Sequence, residues 1–179
     1  MKAYSQIDGW FDHENVYRFL VTQCAFGGTF VECGAWLGKS SAYLIDISEY
    51  KKINVWVVDS WKGSSNELDT HHKLVKHSDI YSSFLANMGN RKFNHIKALS
   101  CEASSHFDNE SCDVVFIDME HTYEAVKNDI ELWLPKVKSG GYLAGHDYHT
   151  NWQGVIKAVD EKFGSKITVD STCWIYRKE

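Results

Sequence analysis

Apolar positions along the chain recur with two alternating periods, and the alternation itself predicts an architecture. Val16, Phe19, Leu20 and Cys24 fall at helical spacing over residues 13–25. Thr29–Cys33 then forms a short β-branched and aromatic run that ends at Gly34, and Ser40–Tyr50 returns to a helical pattern. Ile53–Val58 reads as a buried strand ending at Asp59, and Asn94–Leu99 as a third strand. Val114–Ile117 is continuously apolar and stops at Asp118. A helix from about Thr122 follows, with Ala125, Val126, Ile130 and Leu134 on one face, closed by Pro135 and Gly140-Gly141. Tyr142–Gly145 is a fifth strand, Gln153–Phe163 a helix, and Lys166–Asp170 with Thr172–Tyr176 a terminal hairpin. Continuous apolar strands alternating with helices predict an α/β fold, a mostly parallel sheet covered on both faces.

Composition narrows this picture. The chain has 179 residues, 44% of them apolar and 14% aromatic, with 7 Trp, 9 Tyr and 9 Phe. That is enough for one core and excludes intrinsic disorder. One domain over 1–179 is expected, with 1–28 as an N-terminal cap segment and helix and 60–92 as a lid. No apolar run is long enough to cross a bilayer, and MKAYSQIDGW lacks a signal-peptide core, so a cytoplasmic protein without a membrane partner is expected. The net charge of -5 and the absence of a Lys/Arg stripe argue against nucleic acid. The 5 cysteines are dispersed, without a CxxC pair, and suit a reducing compartment.

In open parallel sheets ligands sit at the carboxyl ends of the strands, where strand order reverses. Glu32, Asp59, Asp118, His146 and Asp147 all fall at such ends. The most informative string is Phe30-Val-Glu-Cys-Gly-Ala-Trp-Leu-Gly-Lys-Ser-Ser41. Gly34 and Gly38 allow a sharp turn and a close approach to a ligand, and the amides opening the next helix suit a polar or anionic group. A dinucleotide fingerprint requires a glycine where Trp36 stands. A P-loop requires one more residue between Gly34 and Gly38-Lys39-Ser40.

Glu-x-Gly-x-x-x-Gly-x-Ser, with an acid at the end of the second strand, resembles the class I S-adenosylmethionine (SAM) dependent methyltransferases. Within them the chain is most similar to the small metal-dependent O-methyltransferases of the catechol type and the methyltransferase-24 group. Val114-Val-Phe-Ile-Asp118-x-x-His121 resembles their fourth-strand motif, and Ser139-Gly-Gly-Tyr-Leu-Ala-Gly-His146-Asp147 their fifth. The resemblance implies a Rossmann-like three-layer fold with a seven-stranded sheet and a C-terminal antiparallel hairpin. It also implies SAM as cofactor: Gly34 and Gly38 making room for it, Trp36 within the same loop, Ser40 at its carboxylate and Asp59 at its ribose. Glu32 would orient the loop or the cofactor's amino group. Ser100 and Glu102 fall at the adenine-side turn, and Trp61 either covers the ring or packs as a lid hydrophobe.

The same resemblance places a divalent cation, Mg²⁺ or another, on Asp118, His146 and Asp147. An imidazole at 146 opens the set to softer ions such as Mn²⁺ or Zn²⁺. His121 stands where the catechol-type enzymes carry the basic residue that removes the substrate proton, Asp118 beside it; the alternative is a histidine at a helix start. His71, His72 and His77 read as part of the polar lid rather than a metal site. The expected reaction is methyl transfer to a hydroxyl of a small molecule or sugar. The pocket would be roofed by the N-terminal segment, by 60–92, or by a second copy of the chain in a homodimer. Two other readings remain: a P-loop-like NTPase using Lys39, Ser40 and Asp118, and a non-catalytic SAM-binding protein that does without His121.

Overall fold

The computed structural model describes residues 2–63 and 79–179. Seven strands form one sheet: β1 (Thr29–Cys33), β2 (Asn54–Asp59), β3 (Asn94–Lys97), β4 (Cys112–Ile117), β5 (Val137–Gly145), β6 (Ile167–Asp170) and β7 (Cys173–Arg177). Their order is β3-β2-β1-β4-β5-β7-β6. Strands β1 to β5 pair in parallel, and β7 runs antiparallel between β5 and β6. Strand order therefore reverses between β1 and β4, which opens a crevice at their carboxyl ends.

The helices are α1 (Glu14–Gln23), α2 (Lys39–Ser48), α3 (Ile80–Met88), the short α4 (Ser100–Ala103), α5 (Tyr123–Trp133) and α6 (Gln153–Phe163). Two apolar layers flank the sheet. One joins α1, α2 and α3 through Val16, Leu20, Ala42, Leu44, Phe84 and Met88. The other joins α5 and α6 through Val126, Ile130, Trp133, Val155 and Val159. This is a Rossmann-like three-layer architecture. Central strands β1 and β4 are almost wholly buried, as their unbroken apolar runs require.

Three local features depart from the sequence pattern. Strand β5 begins at Val137 rather than Tyr142, because the register with β4 shifts between Cys112 and Val114 and the strand carries Gly140-Gly141 through the irregularity. The segment 79–92 is not a uniformly polar lid: Asp79 caps α3, accepting from the Ser82 amide at 3.0 Å, and Ile80, Phe84 and Met88 are buried. Residues 60–63 and 79–92 are the described part of the expected lid; His71, His72 and His77 lie outside the described residues. Among the described residues, no helix is long and apolar enough to cross a membrane. All 5 cysteines are free thiols, and only Cys101 is exposed.

Candidate active site

The glycine loop after β1 is built by backbone geometry. Gly34 has φ +98°, and a Cβ there would lie 1.7 Å from the Asp118 carbonyl oxygen, so glycine is required by the close passage of the β4 end. Gly38 has φ +87° and opens α2; a Cβ there would meet Met88 Cε at 2.4 Å and Phe84 Cδ2 at 2.9 Å. The room above Gly38 is thus filled by α3, whose Asn87 also donates to the Leu37 carbonyl at 3.0 Å. Trp36, within the loop, takes a left-handed φ of 51°.

Asp59 fastens this loop to the end of β2. Its Oδ2 accepts from the Ala35 and Trp36 amides at 2.8 and 3.0 Å, and its Oδ1 from the Trp61 amide at 2.6 Å. The residue expected at the ribose is therefore first a backbone anchor, with one lone pair left over, on Oδ1. Glu32 is fully buried. Tyr17 donates to its Oε1 at 2.7 Å, Ser41 donates to its Oε2, and Ser40 also bonds to the carboxyl. Burial pushes its pKa up to about 7 against these donors. Its carboxyl thereby ties β1 to α1 and to the start of α2.

Several expected cofactor contacts point elsewhere. Trp61 is packed against Tyr81 and Phe84, with centroids 4.8 and 4.7 Å apart, and its Nε1 donates to the Trp36 carbonyl. Its ring is buried against these neighbours. Ser100 is 4% exposed and accepts from Trp133 Nε1 at 2.7 Å. Glu102 is exposed and caps α4, accepting from the Leu99 amide at 3.4 Å. A polar pair at a strand-to-helix turn satisfies the helix start as readily as a ligand, and the sequence pattern does not separate the two uses.

Beyond β4 and β5 the site changes character and is built from ionisable side chains. A pocket of about 230 Å³, open to solvent on one side, is lined by Asp118, Glu120, His121, His146, Asp147 and Trp174 among others. His121 Nε2 donates to Asp147 Oδ2 at 2.8 Å. Its ring is stacked on Trp152, with centroids 3.9 Å apart and planes 19° from parallel. His146 Nδ1 lies 3.2 Å from Asp147 Oδ2 and 3.8 Å from Asp118 Oδ1. Asp147 itself holds φ 61°, an unfavourable setting for a residue other than glycine that the surrounding hydrogen bonds enforce.

Charge in this cluster is strongly redistributed. Partial burial and the Asp147 charge push Asp118 up to about 6, against the pull of both histidines. Burial opposes ionisation of Asp147, yet hydrogen bonds from His121 and His146 hold its carboxyl well below the usual range. His121 is raised, since Asp147 and Asp118 outweigh its burial. For His146, burial is outweighed by Asp147, Asp118 and Asp12, and its pKa rises to about 9.

One oxygen each from Asp118 and Asp147 and one nitrogen from His121 lie within 4.8 Å of one another, a donor set that fits a divalent cation. His146, expected as the third ligand, is grouped with His13 and Cys173, yet its Nδ1 lies beside both carboxylates while its other nitrogen reaches the N-terminal segment. Asp12 Oδ1 lies 3.2 Å from His146 Nε2, and Thr172 Oγ1 lies 2.8 Å from it. Asp12, His13, Thr172 and Cys173 were missed by the sequence reading because they come from segments read as a helix start and a terminal hairpin.

A seven-stranded Rossmann-like sheet with a glycine loop after β1 and an ionisable cluster after β4 and β5 defines a class I methyltransferase. The family model described as "Methyltransferase domain", methyltransferase-24, matches residues 31–148, and the chain belongs to that family. It is similar in fold to the O-methyltransferase NovP, at TM-score 0.68 and 19% identity over 92% of this chain and 78% of that one. It is similar also to the calicheamicin methyltransferase CalS11, at TM-score 0.63 and 11% identity over 92% and 76%. A SAM-dependent O-methyltransferase of Thermotoga maritima matches at TM-score 0.60 and 15% identity over 97% and 67%. The uncharacterized protein y4gI of Sinorhizobium fredii is 25% identical over 103 residues, 55% of this chain. The chain spans 10% of that protein's length.

Proposed function

We propose that the protein transfers a methyl group from SAM to a hydroxyl oxygen of a small molecule or sugar, with His121 as general base. The observation that carries this reading is the His121–Asp147 hydrogen bond at the pocket mouth, with Trp152 stacked on the imidazole. A base held by a carboxylate on one side and an aromatic face on the other has little freedom to turn away from an acceptor. CalS11, similar in fold at TM-score 0.61 in its apo structure, is a TDP-rhamnose 3'-O-methyltransferase, which supports a sugar hydroxyl as one acceptor class.

The residues present fit the cofactor. The turn over Gly34–Gly38 leads into the start of α2, and the pocket carboxylates of Asp118 and Asp147 suit a cationic ligand. SAM supplies a methyl group on a sulfonium, and the protein's share of the work is alignment. Asp59 holds the loop in shape, Ser40 and Glu32 fix the start of α2, and the one acceptor site left on Asp59 Oδ1 would take a ribose hydroxyl. The acceptor hydroxyl enters beside Asp118. His121 would take the hydroxyl proton as the methyl group leaves a bound SAM, and Asp147 would steady the resulting imidazolium. A divalent cation would sit on Asp118 and Asp147, with His121 in reach, and would supply Lewis-acid polarisation of the hydroxyl.

The P-loop alternative loses its footing: Lys39 Nζ donates to the Gly9 carbonyl at 2.9 Å instead of reaching across the loop. The test of the proposal is SAM binding by calorimetry, followed by methyl transfer from labelled SAM to a panel of catechols and nucleotide-linked sugars. His121→Ala is expected to lower kcat about 10²–10⁴-fold while SAM affinity stays within about twofold. No SAM binding, or full turnover in His121→Ala, overturns the proposal.

A further inference from the structure

The Asp118–His121–Asp147 cluster offers oxygen-rich chemistry. Immediately behind it lies a second constellation of different chemistry that methyl transfer does not use. One ring nitrogen each of His13 and His146 and the Sγ of Cys173 lie within 4.8 Å of one another. These residues come from the N-cap of α1, the end of β5 and the start of β7.

His13 gives the sharpest sign of a missing partner. It is 3% exposed, its ring is stacked on Phe116 at 5.1 Å and 19°, and its Nε2 is buried without a hydrogen-bond partner. A buried nitrogen left without a partner is costly, and a metal ion would remove that cost. Both histidines also show the arrangement in which a carboxylate orients a metal-binding imidazole through its other nitrogen. His13 Nδ1 lies 3.4 Å from Asp12 Oδ1, and His146 Nδ1 lies 3.2 Å from Asp147 Oδ2. The opposite nitrogen of His146 faces Asp12 and Thr172, the chain neighbours of His13 and Cys173.

We propose that His13, His146 and Cys173 form a site for a soft divalent cation of the Zn²⁺ type, clasping the N-terminal segment to the C-terminal hairpin. Two imidazoles and a thiolate select such an ion over Mg²⁺, whereas Asp118 and Asp147 select the reverse. Metal–nitrogen bonds of about 2.0–2.1 Å and a metal–sulfur bond of about 2.3 Å in a tetrahedron require donors about 3.3–3.6 Å apart. Donors now within 4.8 Å reach that spacing by about 1 Å of side-chain rotation. Three protein ligands leave a fourth position for water. The metal replaces the Cys173 S–H proton, which leaves to solvent, and nothing is oxidised or reduced. The site shares His146 with the pocket cluster, but it is read by metal binding rather than by methyl transfer, so failure of either reading is told apart from failure of the other.

The test uses chelator-treated full chain titrated with Zn²⁺ against a competing chelator, and with Co²⁺ as an optical probe. One Zn²⁺ per chain is expected, with thiolate-to-cobalt charge transfer in the near ultraviolet. Cys173→Ser and His13→Asn are expected to abolish that band and weaken Zn²⁺ binding at least about 100-fold, beyond what orienting partners usually contribute. Cys101→Ser and Asp118→Asn keep both. The proposal is overturned if Cys173→Ser binds Zn²⁺ as the parent does, or if Asp118→Asn alone abolishes binding. X-ray absorption at the zinc edge of the parent protein removes dependence on how the variants fold: one sulfur and two imidazole scatterers support the site, and a shell without sulfur refutes it.

Discussion

The two ends of the crevice solve different problems with different materials. At the β1 and β2 end, Gly34, Gly38 and Asp59 shape a loop through backbone geometry, and their side chains are either absent or committed to amides. At the β4 and β5 end, Asp118, His121, His146 and Asp147 hold one another in a network of ionisable side chains. A loop that must follow a ligand's outline needs fixed φ and ψ, whereas a centre that moves a proton needs groups whose protonation can change. The contrast predicts that damage at one end appears in binding and stability, and damage at the other in turnover.

Asp147→Asn breaks the comparison hardest. It keeps the side-chain shape but removes the charge that steadies His121, and kcat is expected to fall about 10²–10⁴-fold with SAM affinity within about twofold, read by steady-state kinetics and calorimetry. Gly34→Ala acts on the other end: with a Cβ 1.7 Å from the Asp118 carbonyl and a φ of +98°, it should destabilise the fold by about 3 kcal/mol or more in urea unfolding.

Glu32 gives a pH signature confined to the loop end. Its folded pKa of about 7 lies above the usual 4.5, so the native state binds the extra proton between those values. Stability is therefore expected to fall as pH rises from about 4.5 through about 7, by up to about 3 kcal/mol, and then to level off. Denaturant midpoints across that window, compared with Glu32→Gln, check it: the variant should lose this slope. The smallest effect sharpens the boundary of the site. Ser100→Ala removes the acceptor of the Trp133 indole and should cost about 1 kcal/mol, with SAM affinity unchanged. A loss of SAM affinity there would return Ser100 to the cofactor.

How much of this was legible in the sequence follows the same division. Val31 and Val115 sit at the middle of unbroken apolar runs, so central strands and their order announced themselves, and the glycine spacing marked the loop. Strand β5 started five residues earlier than its pattern indicated, since a bulge lets Gly140-Gly141 sit inside a strand rather than end a helix. Helix α3 was masked by polar flanks although Phe84 and Met88 form its buried face. In the site, Asp118, His121 and Asp147 stand at strand ends with motif spacing and were visible. His13 and Cys173 were not, because 160 positions separate them and only the antiparallel placement of β7 beside β5 brings them to His146. For Ser100 and Trp61 the sequence did not show the tertiary neighbours, Trp133 and Phe84, that engage them in the fold.

The central claim is that His121 and Asp147 act as one proton-accepting unit. A double-mutant cycle on the single-turnover methyl-transfer rate, with SAM saturating and an acceptor taken from the hydroxyl panel, measures this directly. His121→Ala, Asp147→Asn and the double variant are predicted to lose nearly the same factor, because removing either partner disables the unit. Losses that multiply in the double variant would show two independent contributions and contradict the account.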